Sequence, residues 1–140
     1  GYTISIPDGI KEGPVVTEEI LENASQEIEH IKKHLPIYKA GSIGILSKKS
    51  DYLEPFRKAF KGEKNIHVLT MNESQGVEFD LVCIVGINAD TFKLTQYADV
   101  SLAHLEERKR MQKDLLYVAL TRAITELHIL GKETLSTVLK

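Results

Sequence analysis

Short apolar runs alternate with longer stretches of helical periodicity along the chain. Runs rich in β-branched residues predict strands at 43–46, 66–70 and 81–86, and polar or small residues follow each of them. The run at 81–86 has no polar interruption, which is typical of a strand that helices cover on both faces. Shorter runs at 3–6 and 126–130 predict two further strands.

The first predicted helix follows a short β-branched pair at 15–16. Thr17 is its expected N-cap, because a hydroxyl there can accept a hydrogen bond from the first turn. Steps of four or three residues then place one apolar face on the helix, made of Ile20, Ala24, Ile28, Ile31 and Leu35. Pro36 is expected to end the helix.

Three further segments predict helical structure. A short helix follows the strand at 43–46 and directs three apolar side chains inward, namely Leu53, Phe56 and Phe60. A longer helix is predicted from about 102 to 123, and a terminal helical turn at 134–139. Strands that alternate with helices favour right-handed crossovers, so we expect one α/β domain over 1–140 with an open, mainly parallel sheet between helical layers. Functional residues of such folds usually lie beyond the carboxyl ends of the strands.

Composition and charge restrict the class of protein. The chain has 140 residues, of which 42% are hydrophobic and 27% charged, and its formal net charge is −2. This balance argues against a free-standing nucleic-acid-binding protein with a basic surface, although a local strip of contacts stays open. One cysteine excludes an internal disulfide, and the sequence has no apolar run long enough for a membrane span. We therefore expect a cytoplasmic protein without membrane contact.

The five histidines show no spacing that is typical of metal ligands, so the sequence predicts no metal site. They are His30, His34, His67, His104 and His128.

The loop between the strands at 66–70 and 81–86 contains candidate binding residues. Gly76 permits a backbone conformation in which N–H groups approach a phosphate closely. Glu78 can accept hydrogen bonds from vicinal hydroxyl groups, as acids do for ribose in other nucleotide folds. The same residues also fit an ordinary polar connection with a turn glycine, and the loop alone leaves both interpretations open.

Arg122 stands near the predicted end of the long helix, directly before the last strand. A cation at this position often only complements the helix dipole. Alternatively, its planar guanidinium can project into a phosphate site and neutralise charge there. The arginine by itself does not decide between the two.

Two stretches together resemble motifs V and VI of UvrD/Rep-type superfamily I helicases. Residues 70–80 read T-M-N-E-S-Q-G-V-E-F-D, and about forty residues later 115–123 read L-L-Y-V-A-L-T-R-A. The segment 43–56 is similar to motif IV of the same family. The resemblance extends over about 15–131 and implies a RecA-like fold, specifically the second RecA-like domain at the C-terminal end of an ATP-driven motor.

The resemblance also implies roles for individual residues. ATP, with Mg²⁺ held by the first RecA-like domain, would lie in the cleft between the two domains. Glu78 would hold the ribose, Arg122 would reach the γ-phosphate as an arginine finger, and Gln75 and Gly76 would shape the nucleotide loop. Lys48 stands where motif IV normally has a second γ-phosphate arginine.

Thr70 and Asn72 would face single-stranded DNA by the same resemblance. Asn72 replaces a histidine that is frequent in the family, and Gln75 replaces a common lysine. The chain contains no G-x-x-x-x-G-K-[ST] loop, so the phosphate cradle is missing. We therefore expect a fragment of a longer protein, which is inactive as an isolated domain and needs the first RecA-like domain as its partner.

Only about ten residues separate the motif IV helix from the motif V strand. UvrD-type enzymes insert a large helical subdomain there, so the resemblance is to a compact relative, such as the helicase IV/HelD-like branch or a RecD-like enzyme. Two alternatives to a DNA helicase follow. One is a HelD-like, ATP-driven remodeller of RNA polymerase that does not unwind strands. The other is a degenerate domain that binds nucleotide without turnover.

Overall fold

A computed structural model of the protein describes residues 14–34, 41–88 and 117–138. Five strands form one sheet in the order β1-β5-β4-β2-β3, and all of their pairings are parallel. The strands are β1 (Val15–Ile20), β2 (Ile43–Ser47), β3 (Ile66–Thr70), β4 (Phe79–Ile87) and β5 (Ala123–Gly131). Parallel pairing of neighbours requires crossovers over the sheet faces, as expected for an α/β domain.

Helices follow three of these strands. α1 (Ala24–His34) follows β1, a 3-10 turn (Asp51–Leu53) that runs directly into α2 (Glu54–Ala59) follows β2, and α3 (Leu135–Val138) follows β5. Residues 117–120 are also helical and stand directly before β5. Within the described ranges, no helix is long and apolar enough to cross a membrane.

Alternate residues of β4 face two separate hydrophobic cores. Val82 and Ile84 join a core that also contains Ala119, Leu120 and Leu135. Leu81, Cys83 and Val85 join the opposite core, where α1 and the segment from the 3-10 turn to the end of α2 cover the sheet. Their buried side chains include Ile31, Leu53, Phe56 and Phe60. The uninterrupted apolar run of β4 follows from this burial on both faces, and the predicted three-layer architecture is confirmed.

The predictions for the middle of the chain are confirmed. β2, β3 and β4 lie where the apolar runs place strands, and the three inward side chains of the short helix are buried. Gly62, just after that helix, has a φ of +92°, a conformation that glycine adopts without strain. The terminal helical turn is also present as α3.

The predicted start of the first helix is wrong. Thr17 does not cap a helix; it pairs with His128 in the register of β1 against β5, and Ile20 is still part of the same strand. The cap is Asn23, whose Oδ1 accepts a hydrogen bond from the Gln26 backbone N–H at 2.9 Å. Because β5 offers a free edge for pairing, the β-branched segment continues as a strand to Ile20, and α1 begins only at Ala24.

The last strand also begins earlier than predicted, at Ala123 and not at 126, because the preceding helix ends at 120. Several predictions lie outside the described residues. These are the strand at 3–6, the helix over 102–116, and the roles of Leu35 and Pro36.

Candidate functional site

Glu78 and Arg122, the residues predicted to bind the nucleotide, lie next to each other along the backbone where β4 and β5 begin. Phe79 and Ala123 are register partners, so Glu78 and Arg122 directly precede two paired residues. The Phe79 backbone N–H donates to the Arg122 carbonyl at 2.8 Å. We call this side of the sheet its amino end. Both residues lie there, whereas the fold class alone predicts functional residues at the carboxyl ends of strands.

Hydrogen bonds hold the Arg122 side chain against the end of the preceding helix. Its Nε donates to the Val118 carbonyl at 3.1 Å, and its Nη2 donates to Thr121 Oγ1 at 3.3 Å. The side chain is half-buried. A guanidinium that is oriented in this way loses less conformational entropy when it binds a phosphate than a freely rotating one would.

Thr70 lies at the opposite, carboxyl end of the sheet, where β2 and β3 finish. Ser47 and Thr70 are register partners, and the Met71 N–H donates to the Ser47 carbonyl at 2.9 Å. β3 and β4 are parallel, so the intervening loop, 71–78, must return along the sheet from its carboxyl end to its amino end. One loop thus joins the predicted DNA-facing residues to the predicted ribose-binding residue.

The loop 71–78 is ordered by its own hydrogen bonds. The buried Ser74 Oγ donates to the Met71 carbonyl at 2.6 Å, and the Val77 N–H donates to the Ser74 carbonyl at 3.1 Å. Gly76 has a φ of +83°, and a Cβ there would meet open space. Glycine is therefore favoured at this position by the backbone conformation and not by crowding. The open space beside the Gly76 backbone can admit a ligand. The side chains of Asn72, Gln75 and Glu78 are exposed.

Glu73 is a residue of this loop that sequence reasoning missed. The Thr70 N–H donates to Glu73 Oε1 at 2.9 Å, while the Glu73 N–H donates to Thr70 Oγ1 at 3.1 Å. The bond from the Thr70 backbone N–H and an interaction with the Thr70 side chain lower the pKa of the Glu73 carboxyl. Glu73 thus fixes the start of the loop against Thr70.

The fold does not place Lys48 close to Arg122. It directly follows β2 at the carboxyl end, beside Thr70. The register of β2 against β4 places Lys48 beyond the level of Val85, six residues along β4 from Phe79, or roughly 20 Å. Lys48 is half-buried, and this burial, together with the charge of Lys49, lowers its pKa. Lys48 and Arg122 therefore lie near opposite ends of the strands in this domain.

A buried carboxyl group that the sequence analysis did not single out links α1, the 3-10 turn and β4 near the carboxyl end of the sheet. Glu27 of α1 accepts a hydrogen bond from the Tyr52 hydroxyl at 2.6 Å and a longer one from the Gly86 N–H at 3.4 Å. Burial raises the pKa of Glu27 to about 7, against the lowering effect of both bonds. Burial and the neighbouring carboxyl likewise raise the pKa of Tyr52.

Three histidines from distant parts of the sequence form a cluster between α1 and β5. His30 Nε2 lies 2.8 Å from His128 Nδ1, and His34 Nδ1 donates to the His30 carbonyl at 2.8 Å. Burial lowers the pKa of His30 to about 4 and also lowers that of His128. The cluster borders a cleft of about 690 Å³. The sequence interpretation recognised no metal-ligand spacing among these residues.

Comparison with known proteins identifies the family. The chain matches the family described as the UvrD-like helicase C-terminal domain over residues 20–134, a range that includes every predicted site residue. No curated protein sequence matches significantly. Among solved structures, the C-terminal domain of a possible DNA helicase from Lactobacillus plantarum WCFS1 is similar, with a TM-score of 0.61 and 20% identity. The match covers 90% of this chain and 78% of that one.

That structural similarity and the five-stranded parallel sheet confirm the expected RecA-like fold. The protein therefore belongs to the family of UvrD-like helicase C-terminal domains.

Proposed function

We propose that this chain is the C-terminal motor domain of an ATP-dependent DNA helicase or translocase. The observation that supports the proposal best is the placement of Glu78 and Arg122 at the amino end of the sheet, joined by the bond from the Phe79 N–H to the Arg122 carbonyl at 2.8 Å. A carboxylate and a guanidinium on one rigid edge suit the two ends of a nucleoside triphosphate. Family membership supplies the class of reaction.

The amino end is the proposed nucleotide surface. Glu78 accepts hydrogen bonds from the ribose hydroxyls, and Arg122 donates to the γ-phosphate, where charge increases during transfer. Gln75 and Gly76 belong to the same surface, since the open space at Gly76 lets a ligand approach the backbone. Mg²⁺, bound by the first RecA-like domain, would neutralise phosphate charge, and that partner domain would complete the site.

The carboxyl end is the proposed surface for single-stranded DNA. The Thr70 hydroxyl and the exposed Asn72 amide donate to backbone phosphates or to bases. We assign Lys48 to the same DNA-facing surface, because it lies beside Thr70 and at the opposite end of the strands from Arg122. The role of Lys48 is thus revised from a contact of the γ-phosphate to a contact of the nucleic-acid backbone.

The ordered loop 71–78 connects the two surfaces and is the proposed coupling element. Closure of the two domains on ATP moves Glu78 and Arg122 toward the first domain, and the loop transmits that displacement to Thr70 and Asn72. Coupling requires a contact that differs between the two states, and the contact of Arg122 with the γ-phosphate is present only in the closed one.

The decisive experiment measures DNA-stimulated ATP hydrolysis by the full-length parent protein. We expect Arg122→Ala to reduce kcat by about 10³-fold or more, with ATP binding and folding retained. Lys61→Ala is the control for loss of a positive charge, because Lys61 is exposed just after α2 and belongs to neither proposed surface. Equal turnover by Arg122→Ala and the wild type would contradict the proposed function.

The link between α2 and β3 consists of only residues 60–65, which favours a compact branch of the family such as the helicase IV/HelD-like one. Action on RNA polymerase therefore stays an alternative. It predicts that the parent protein retains polymerase in a pull-down and hydrolyses ATP without separating a DNA duplex. Duplex separation without polymerase retention would exclude this alternative.

A further inference from the structure

The histidine cluster has the arrangement of a metal site. His30 and His34 are one turn apart on α1 with ring centroids 4.6 Å apart, and His128 of β5 faces both rings at 5.1 and 4.7 Å. One ligand nitrogen from each residue lies within 4.8 Å of the other two. Nitrogens around a tetrahedral zinc ion are roughly 3.3 Å apart, given Zn–N distances of about 2.0–2.1 Å. The most distant pair of nitrogens therefore has to approach by at most about 1.5 Å, and His30 Nε2 and His128 Nδ1, which lie 2.8 Å apart, have to separate slightly.

The hydrogen bonds of the outer nitrogens orient the remaining lone pairs. His34 Nδ1–H donates to the His30 carbonyl at 2.8 Å, which leaves the lone pair on His34 Nε2. His128 Nε2–H donates to Glu126 Oε2, which leaves the lone pair on His128 Nδ1 beside His30 Nε2. A carboxylate or carbonyl that accepts from the outer nitrogen is the usual second partner of a metal-bound histidine.

We propose that His30, His34 and His128 bind one Zn²⁺ ion, with Glu126 as the positioning residue of His128. In the metal-free protein, His30 Nε2–H donates to His128 Nδ1. Binding therefore requires a change of tautomer in His30: the Nε2 proton is lost to water, Nδ1 takes up a proton from water, and the Nε2 lone pair binds the ion. Three imidazole ligands suit zinc among the abundant divalent ions, whereas Mg²⁺ and Ca²⁺ prefer oxygen.

The surroundings favour a cation and provide access to it. The cleft that borders the cluster is also lined by Glu19, Glu29 and Glu126, with Lys33 as the opposing charge. The opening leaves space for water as a fourth ligand. Bound zinc would join α1 to β5, and so to the centre of the sheet, at a place distinct from the amino end where Glu78 and Arg122 lie. The proposed role is thus stabilisation of the domain.

Zinc binding by the metal-free 140-residue chain tests this inference directly. Titration calorimetry with ZnCl₂ is expected to give one ion per chain, and the thermal midpoint is expected to rise with zinc concentration, because only the folded state has the assembled ligands. Co²⁺ in place of zinc is expected to produce the visible absorption of a four-coordinate nitrogen site. No zinc affinity, or no rise of the midpoint, would overturn the proposal.

Variants separate this site from incidental binding to surface histidines. His34→Gln is expected to weaken zinc binding at least tenfold, as is His30→Gln, and Glu126→Gln by about tenfold. His67→Gln is the control, because His67 is exposed on β3, away from the cluster. Circular dichroism checks that each variant is folded, and the two half-buried ligands provide independent tests if one variant fails. Wild-type affinity in both ligand variants, or an equal loss in His67→Gln, would overturn the assignment.

Discussion

The Tyr52 hydroxyl donates to the buried carboxyl group of Glu27 at 2.6 Å, although the two residues belong to different helical elements. This bond joins α1 to the 3-10 turn that leads into α2, and the Gly86 N–H extends the link to β4. Lys48 lies between β2 and that turn, so the link supports the segment that we place against DNA. A buried carboxyl at the base of a binding surface makes the stability of that surface depend on pH.

The first prediction is that the contribution of Glu27 to the free energy of unfolding falls as pH rises from about 4.5 to about 7. The lowered pKa values of His30 and His128 act with the opposite sign in the same interval, so the prediction concerns the difference between the wild type and a variant that lacks this carboxyl group. The Glu27 pKa is about 7 in the folded protein and ordinarily 4.5, so the folded state keeps a proton in this interval that the unfolded state has lost. Below the interval both states are protonated and the contribution is complete; above it the contribution is lost. We expect a loss of about 1–3 kcal/mol, measured by urea denaturation across this pH range.

Glu27→Gln is expected to remove this contribution, because the amide oxygen can still accept from Tyr52 but does not ionise. The stability of the wild type relative to this variant should therefore fall as pH rises through the interval. Glu29→Gln is the matched control, since Glu29 is exposed on the same helix. If the slope is the same in both variants and the wild type, another group is responsible for the pH dependence.

The second prediction concerns Gly86, where replacement by any other residue introduces strain for two reasons. Its φ is +73°, and an added Cβ would lie 2.8 Å from the ring of Tyr52. Gly86→Ala is therefore expected to destabilise the protein by about 2–4 kcal/mol, which combines the conformational and the steric cost. Gly62→Ala, with a φ of +92° and open space around its Cβ, should show only the conformational cost of about 1 kcal/mol.

Thermal and urea unfolding of both glycine variants measure the difference. Equal destabilisation at the two positions would mean that the Tyr52 ring moves aside without cost.

The local sequence pattern was sufficient to predict the secondary structure of those segments for which only one type of element was physically favoured. The apolar runs of β2, β3 and β4 favoured strands, of which β2 and β4 are almost fully buried and β3 lies at the edge of the sheet. Both cores follow from the alternation within β4. The segment from Thr17 to Ile20 was different, because its apolar and acidic residues suit a helix start equally well. Only pairing with β5, more than a hundred residues away, decides that it is a strand.

The sites depend on where the sheet brings distant residues, which spacing does not reveal. His30 and His128 are 98 positions apart, so no sequence motif could connect them. For Lys48 and Arg122 a signal was present: the lysine follows a strand and the arginine precedes one. In a parallel sheet, these positions lie at opposite ends of the strands, so the order of strand and residue could have predicted where each of the two side chains lies.

The third prediction tests that separation in the full-length parent protein. Lys48→Ala is expected to weaken single-stranded DNA binding several-fold and to lower the salt dependence by about one counterion, with ATP hydrolysis in the absence of DNA retained. Arg122→Ala is expected to abolish hydrolysis and to leave DNA affinity without nucleotide unchanged. Lys61→Ala, an exposed lysine after α2, controls for loss of a positive charge. Loss of basal hydrolysis in Lys48→Ala would return Lys48 to the γ-phosphate.

The fourth prediction concerns the negative charge that Glu73 introduces beside the proposed DNA contacts. Its bonds with Thr70 lower its pKa, so the carboxylate is ionised wherever the motor works. Glu73→Gln keeps the acceptor for the Thr70 N–H and removes the charge, so we expect several-fold tighter binding of single-stranded DNA at low salt. The gain should disappear at high salt, where repulsion between exposed charges is screened.

Glu73→Ala distinguishes this electrostatic effect from loop order. It removes both the charge and the acceptor for the Thr70 N–H, so the turn that positions Thr70 is loosened. We expect its DNA affinity to be lower than that of Glu73→Gln at every salt concentration, by an amount that salt does not change. Fluorescence anisotropy of a labelled oligonucleotide measures both variants. If they bind equally at high salt, the reciprocal bonds between Thr70 and Glu73 have no part in positioning the contact, and only the charge of Glu73 matters.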